Sequence, residues 1–482
     1  MYKKTRGQPG VVLAAVAVAQ FAVALDLSVV NVALPAIRTA LGFAPLDLAW
    51  VVHVYALTLG GFLLLGGRAC DLYGRRRLFL AGLAVFGLCS LAGGLAQAPW
   101  QLIAARAGQG LGAAAATPAT LAMLTTTFPE GPRRVRALGV WSGVNAAGGA
   151  LGVLAGGLLT QYAGWRGVML INLPIVATAL ALVLAGVPVD ARPARRERLD
   201  VLGAVLATGG TGLLVIGVVR TDTQGWGSPA TWAMLVAAAT LLAAFVHAES
   251  RAAAPLLRLG LLRSRWVAGA NVLVFFSTAG QFAAFYFVSL YMQQVLGMGA
   301  AATGAAFLPF SVSLVAGSVV ATRVTTARTP RASLVPGALL AAAGLAWFAC
   351  ISPDGRFLTD VLGPCVITGV GVGLVIAPIV AAATTGVAPH EAGMASGLMN
   401  SSRQLGGCVG LAALATIAAH RTGTATGPAA LNAGYALGLA IAAALFLLAA
   451  VVAIGVLPRR QAGTPAPQPA PTTENRLEGT PS

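Results

Sequence analysis

One carboxylate interrupts an apolar run near the start of the chain. Asp26 sits in LDLSVVNVALP, Leu25 to Pro35, directly behind VVLAAVAVAQFAVA. A charge at the centre of a bilayer costs roughly 2.5–3.5 kcal/mol on insertion scales, so a chain that places one there needs a partner for it. Arg106, in RAGQGLGAA, is the one basic residue in the middle of an apolar stretch, and a buried guanidinium demands acceptors. Pairing Asp26 with Arg106, directly or through water, satisfies both. Gln109, about one turn on, is a polar neighbour; Ser28 and Asn31 flank Asp26 on its own stretch. Burial disfavours a charged carboxylate and a nearby guanidinium favours it. Such a pair can take up and release a proton whenever water access or separation changes. The plainer alternatives are an arginine that snorkels from a helix end and an aspartate that only satisfies a helix contact.

Three further patterns carry polar or conformational chemistry. In GRACDLYGRRR, Gly67 to Arg77, Asp71 and Arg75 are four apart and can meet on one helix face or cap its end. Gly67 there permits a close helix contact. Arg75, Arg76 and Arg77 could also be no more than topogenic charges. GGALGVLAGG places Gly148, Gly152, Gly156 and Gly157 on one stretch, and small residues let helices approach and bend. His53, in WVVHVYALTLGG, could titrate near neutral pH or simply face a cavity. Asn31, Asn145, Gln281, Asn271, Gln293 and Asn400 are polar spots on apolar runs. The aromatic set FFSTAGQFAAFYF, 275–287, could stack on flat lipophilic compounds or cations, or face lipid. Five cysteines form no CxxC, and neither a disulfide framework nor a metal site is visible.

The elements that must hold these residues follow from composition. Of 482 residues, 57% are hydrophobic and only 9% charged, and the mean hydropathy is +0.82. Soluble domains carry about 25% charged residues, so the chain reads as an integral membrane protein. A spanning helix needs about 20 mostly apolar residues. Fourteen runs qualify: approximately 11–34, 48–67, 78–96, 100–124, 138–159, 168–187, 201–220, 230–248, 267–290, 300–320, 332–350, 358–380, 397–419 and 431–456. The net charge of +17 comes from 31 basic residues. They lie in short clusters between the runs, which excludes a nucleic-acid-binding domain. With the N-terminus inside, about 25 of them fall in cytoplasmic segments, Arg403 among these, and about five outside. That alternation supports an even number of spans with both termini cytoplasmic. The run behind MYKKTRGQPG is long enough to span, so it reads as a retained first helix. The charged loop VPVDARPARRERLD after the sixth run marks a boundary. The organisation expected is a six-helix bundle over 1–190, two inserted helices over 191–250, a second six-helix bundle over 251–460 and a disordered cytoplasmic tail over 461–482. The loops are short and GxxxxGK[ST] is absent. Any uphill work therefore falls to an ion gradient.

Taken in order, these patterns resemble the signature motifs of the major facilitator superfamily. LDLSVVNVALP with fourteen spans resembles that family's branch of drug:proton antiporters. The resemblance covers nearly the whole chain, including GWRGVMLINLPI (164–175), FYFVSLYMQQVLG (285–297) and EAGMASGLMNSSRQLGG (391–407). It implies an all-α membrane protein: two pseudo-symmetric six-helix bundles plus two inserted helices, working by alternating access. It also implies that Gly67, Asp71, Gly74, Arg75 and Arg76 latch the halves in an outward-facing state. Arg106, in the RxxxQG pattern, would serve proton transfer, and the glycines of the fifth span would mark an exporter. Two positions depart from the family: Ala69 stands where a leucine is usual, and Val153 follows Gly152 where a proline is usual.

The function this implies is proton-coupled export of small amphipathic compounds such as drugs or a self-made antibiotic. No cofactor beyond the proton gradient is expected, nor enzymatic activity, and a monomer suffices. A strong Ala, Gly and Arg bias with only two lysines points to a GC-rich bacterial genome and hence the plasma membrane. Proton-coupled import of a small metabolite, a non-transporting membrane receptor and a channel are the alternatives. Some relatives of this branch carry extra acids in later helices, which suit doubly charged cations; the tenth and thirteenth spans here contain none, so the resemblance implies neutral or monovalent lipophilic substrates.

Overall fold

Among the described residues helix is the regular structure, and the fourteen apolar runs all become helical. The computed structural model describes residues 9–44, 47–128, 132–187, 200–225, 227–252, 259–327, 330–385, 387, 392–423 and 427–457. Most of the charged loop after the sixth run and the tail 461–482 lie outside the described residues, as does the side chain of Asp71. The helices are α1 (Pro9–Leu41), α2 (Trp50–Tyr73), α3 (Arg75–Gly94), α4 (Pro99–Thr127), α5 (Pro132–Tyr162), α6 (Gly164–Leu170), α7 (Asn172–Gly186), α8 (Val201–Gln224), α9 (Pro229–Arg251), α10 (Arg265–Leu290), α11 (Ala300–Ala306), α12 (Leu308–Ala327), α13 (Arg331–Phe348), α14 (Gly363–Thr384), α15 (Ala392–Thr422) and α16 (Pro428–Gly455). The sixth run is broken into α6 and α7, and the tenth into α11 and α12. Pro174 cannot donate a backbone hydrogen bond to Leu170, which is where the sixth run breaks.

Twelve of these stretches, among the described residues, are long and apolar enough to cross a membrane. The two that fall short are α4 and α15, which are among the longer helices. Their deficit is chemical: α4 carries Arg106 and Gln109, and α15 carries Ser401, Ser402, Arg403 and Gln404. Arg403 therefore lies within a helix, eleven residues into α15, and not in the cytoplasmic loop to which the charge count assigns it. Leu88, Leu184, Val236, Val312 and Val451 point outward and exposed. A molecule with such a surface has hydrocarbon as its solvent.

The first helices pack mainly with one another: α1 on α5 and α7, and α4 on α2 and α3. The later ones do likewise, with α14 on α12 and α13, and α10 on α15 and α16. The inserted pair, α8 and α9, pack together, and α8 lies against both α2 and α15.

Glycine sets the closest of these contacts. Gly148, Gly152 and Gly156 recur every four residues on α5, and each faces a carbonyl of α1, those of Phe21, Leu25 and Val29 in turn. A Cβ on Gly152 would lie 2.8 Å from the Leu25 oxygen, so no larger residue fits without moving α1. Gly157, on the adjacent face, meets the backbone of Ala300 in the other half. The close approach expected at Gly67 falls instead at its neighbour. Gly66 abuts the Ala114 carbonyl of α4, whereas a Cβ on Gly67 would meet Pro118 at an ordinary 3.9 Å. Gly74 ends α2 and begins α3 with φ of 93°, a left-handed conformation that glycine adopts without steric cost.

On the face remote from the Gly67–Arg77 loop, the two halves are in contact. Ser289 Oγ donates to the Asn31 carbonyl at 3.3 Å, and Gln293 Nε2 to the Val32 carbonyl at 3.2 Å. The Ala301 N–H donates to Gln161 Oε1 at 3.1 Å. A second seam runs along α2 and α15, where Ser401 Oγ donates to the Gly60 carbonyl at 2.8 Å.

Candidate functional site

Four helices and one helix start converge on Asp26. It lies midway along α1, on the side that packs into the first half, and is 0% exposed. Arg106 reaches it from α4: Nη1 donates to Asp26 Oδ2 at 2.6 Å. The same nitrogen donates to Gln109 Oε1 at 2.9 Å, and Nε donates to the Val51 carbonyl of α2 at 3.1 Å. The guanidinium carbon stands 4.3 Å from the centre of the Tyr55 ring. Arg106 is thus held through an anion, an amide, a carbonyl and a π face, which together stand in for its lost hydration.

The other carboxylate oxygen is also bound. Asn172 Nδ2 donates to Asp26 Oδ1 at 2.8 Å, and Gln109 Nε2 donates to it at 3.3 Å. Both amides also donate to Ser90 Oγ of α3, Gln109 at 2.6 Å and Asn172 at 3.0 Å. Asp26, Arg106, Gln109, Ser90 and Asn172 are all buried. Unlike a surface pair, a charge pair in such a setting is stabilised only if its remaining hydrogen-bonding capacity is met.

Of the residues singled out in the sequence, Asp26, Arg106 and Gln109 meet in this cluster. Asn31 and Ser28 do not join it; their side chains donate back to the Leu27 and Ala24 carbonyls of their own helix. Asn145 accepts from Gln20 Nε2 at 2.7 Å, an α1–α5 link elsewhere along the same contact. Gln281 is half-buried on α10. His53 is fully buried but two residues from Val51 and from Tyr55, hence on the far side of α2. Its ring packs edge-on to Trp50, and its carbonyl accepts from the Cys408 thiol of α15 at 3.5 Å. Arg75 and Arg76 open α3 beyond Gly74, and Arg75, Arg76 and Gly74 are all half-buried.

Sequence reasoning assigns no role to Ser90, Tyr55 or Asn172. Asn172 is within its reach: an asparagine two residues before a proline, inside an apolar run, is positioned by the break the proline imposes. Ser90 and Tyr55 give no such signal.

The chain can be set beside known proteins. The profile of the Major Facilitator Superfamily matches residues 16–411. The chain is 45% identical over 452 residues to the cephamycin export protein CmcT of Amycolatopsis lactamdurans, covering 93% of this chain and 92% of that protein. It is 40% identical to the puromycin resistance protein pur8 of Streptomyces alboniger, covering 92% and 90%. It is 35% identical to the multidrug resistance protein Stp of Mycobacterium tuberculosis (strain CDC 1551 / Oshkosh), covering 83% and 74%. Among solved structures, the inward open xylose transporter XylE from E. coli aligns with a TM-score of 0.64 at 14% identity, over 95% of this chain and 98% of that one. A bacterial homologue of the human lysosomal transporter Spinster aligns with a TM-score of 0.65 at 17% identity, over 94% and 97%. The profile over most of the chain, the relatives along its length and the shared architecture agree: this chain belongs to the major facilitator superfamily.

Proposed function

We propose that the protein is a secondary transporter that exports small amphipathic compounds, of the antibiotic class its relatives are named for, in exchange for protons. The observation that carries this reading is the ion pair of Asp26 with Arg106: a buried carboxylate 2.6 Å from a buried guanidinium, in a chain 45% identical to an export protein. Two charges cost several kcal/mol each to bury. A chain with no structural need for them keeps them where their interaction changes during a working cycle.

The geometry supports the following mechanism. With the halves joined on the face remote from the arginine-rich loops, Asp26 has no contact with solvent. Parting the Asn31–Ser289 and Val32–Gln293 contacts would open that face. Water could then reach the α1 side of the site, and Asp26 could take a proton. Neutral Asp26 no longer holds Arg106, so the guanidinium leans on Tyr55, Gln109 and the Val51 carbonyl. Closing that face and opening the opposite one returns the proton to the other side. Substrate binding favours the deprotonated site, so each outward passage of substrate is matched by inward passage of a proton. The α5 glycine row keeps α1 and α5 moving as one body, and Gly157 lets that body meet the other half at Ala300.

The rest of the assignment forms part of the same proposal. Gly67, Asp71, Gly74, Arg75 and Arg76 form the latch of the opposite face; no cofactor other than the proton gradient is used; the chain is not an enzyme. It acts as a monomer in the bacterial plasma membrane with both termini cytoplasmic. The test is flux in proteoliposomes under an imposed pH gradient. Exporter activity predicts substrate movement against its own gradient and proton movement upon substrate addition, both lost in Asp26→Asn and partly kept in Asp26→Glu. Accumulation with the proton would instead identify an importer, and absence of any flux a receptor.

A further inference from the structure

We infer that Asn172 is the residue that allows Asp26 to become neutral: its side-chain amide turns over when the carboxylate takes up a proton, changing from donor to acceptor. The inference rests on the reading of Asp26 as the proton carrier and adds a second residue to that step.

Every group on the carboxylate in this structure is a donor. Arg106 Nη1 lies at 2.6 Å, Asn172 Nδ2 at 2.8 Å and Gln109 Nε2 at 3.3 Å. That shell suits a carboxylate, which only accepts. A carboxylic acid carries one O–H that must donate, and a buried donor left unsatisfied is costly. Arginine offers no acceptor at all. Gln109 Oε1 already accepts from Arg106 at 2.9 Å. Ser90 Oγ accepts from both amides, at 2.6 and 3.0 Å. Two oxygens near the site stand buried without a hydrogen-bond partner, the Tyr55 phenol and Asn172 Oδ1, and of these only Asn172 belongs to a side chain already bonded to the carboxylate.

The two ends of an asparagine amide are nearly the same size, and which one faces a neighbour is set by the hydrogen bonds on offer. A half-turn about the Cβ–Cγ bond exchanges Nδ2 for Oδ1 in the same space. The acid O–H then donates to Asn172 Oδ1. Ser90, relieved of one donor, turns its own hydroxyl hydrogen toward the same oxygen. On the turn the amide nitrogen takes the buried place that Oδ1 holds in the charged state, so the unpartnered atom passes from oxygen to nitrogen while the carboxyl group is satisfied in both states. No bond is made or broken other than the O–H formed on Asp26 with a proton drawn from water. Asn172 is the first residue of α7, just beyond the break at Ile171, so its position is fixed by backbone, and the turn breaks only the two hydrogen bonds its amide makes to Asp26 and Ser90.

Among the described residues, the titratable and charged groups that face the site are few. They are Asp26 from α1, the Tyr55 phenol from α2 and Arg106 from α4. The partners from α3 and α7, Ser90 and Asn172, carry no charge. His53 lies on the other side of α2. Asn172 is here a positioning residue, since it acts on the proton through Asp26.

Infrared difference spectra between acid and alkaline buffer, taken on the full chain in lipid nanodiscs, test this directly. The acid carbonyl band of Asp26 is identified by its loss in Asp26→Asn. In protein carrying isotopically labelled asparagine, an asparagine carbonyl band should move to lower frequency together with it, as a free oxygen becomes hydrogen-bonded. That paired signal should vanish in Asp26→Asn and in Asn172→Leu. In Asn172→Leu the Asp26 acid band should also rise in frequency, and the pH profile of efflux should move by a factor of about ten in proton concentration. In Asn172→Thr, whose hydroxyl can both donate and accept, the efflux profile should stay closer to the parent. An Asp26 band with no accompanying asparagine signal in the parent overturns the inference, whatever the folding of the variants. Absence of any acid band that depends on Asp26 would instead overturn the proton-carrier reading itself.

Discussion

The guanidinium of Arg106 lies over the ring of Tyr55 with 4.3 Å between carbon and ring centre, on a different side from the carboxylate it pairs with. A cation on an aromatic face is worth about 2 kcal/mol when desolvated. Tyr55→Phe keeps the ring and should leave uphill efflux within about twofold of the parent, because the phenol oxygen makes no hydrogen bond. Tyr55→Leu removes the face and should lower efflux about tenfold. Equal activity of the Phe and Leu variants would show that the ring only fills space.

Removing one member of the ion pair should cost more than removing both. Arg106→Met leaves a buried carboxylate with only amide donors, and truncating one side of a buried pair costs about 3–5 kcal/mol. The melting temperature in detergent should fall by several degrees. Asp26→Asn combined with Arg106→Met leaves no stranded charge and should recover more than half of that loss. A double variant less stable than the single one would contradict the pairing.

The row of glycines on α5 makes a sharp steric prediction. Gly152→Val and Gly156→Val would each drive a side chain into the α1 backbone and should abolish transport, with reduced yield of folded protein. Gly67→Ala, in open space by comparison, should retain transport, whereas Gly66→Val, against the Ala114 carbonyl, should not. The readout is efflux normalised to membrane-inserted protein.

Contacts between the halves can be trapped. With Cys70, Cys89, Cys350, Cys365 and Cys408 replaced, which should itself leave activity intact because none of the five forms a disulfide, paired cysteines at Asn31 and Ser289, whose Oγ lies 3.3 Å from the Asn31 carbonyl, should crosslink under oxidant. The crosslink should stop efflux, and reductant should restore it. Crosslinking without loss of transport would mean that these helices stay together throughout the cycle.

Asp71→Asn should cut efflux while membrane insertion stays normal, since the loop lies away from the Asp26 cluster. Full efflux in both Asp71→Asn and Gly74→Ala would leave the loop as a determinant of topology alone.

How far these features can be read from the order of residues depends on how local their cause is. Apolar run length reports on the bilayer, so the twelve strongly apolar spans are legible in the sequence alone, while α4 and α15 show there as long runs with polar residues inside. The pairing of Asp26 with Arg106 is legible too, because each is the odd residue in its surroundings and each needs the other. Arg403 is misplaced by sequence because a cation inside a helix looks, in a charge count, like one beside it. Gly66 and Gly67 are indistinguishable in sequence; the rotation of α2 against α4 decides between them. Ser90 and Tyr55 are invisible there because serines and tyrosines are common and their roles here depend on partners on other helices. The absence of any bond from Asn31 or Ser28 to Asp26 has the same origin: helical polar side chains often return to the carbonyl one turn back.

The shortfall of apolarity in α4 and α15 bears on how the chain is made. A helix enters the bilayer from the translocon by partitioning, and each buried arginine or amide raises the cost of doing so alone. α4 is joined to α3 by only the few residues between Gly94 and Pro99, and α15 to α16 by those between Thr422 and Pro428. Each weak helix therefore has a strongly apolar companion at hand and can leave the translocon as half of a hairpin. The polar site would then be assembled during biogenesis, from a segment that depends on its neighbour for entry into the membrane.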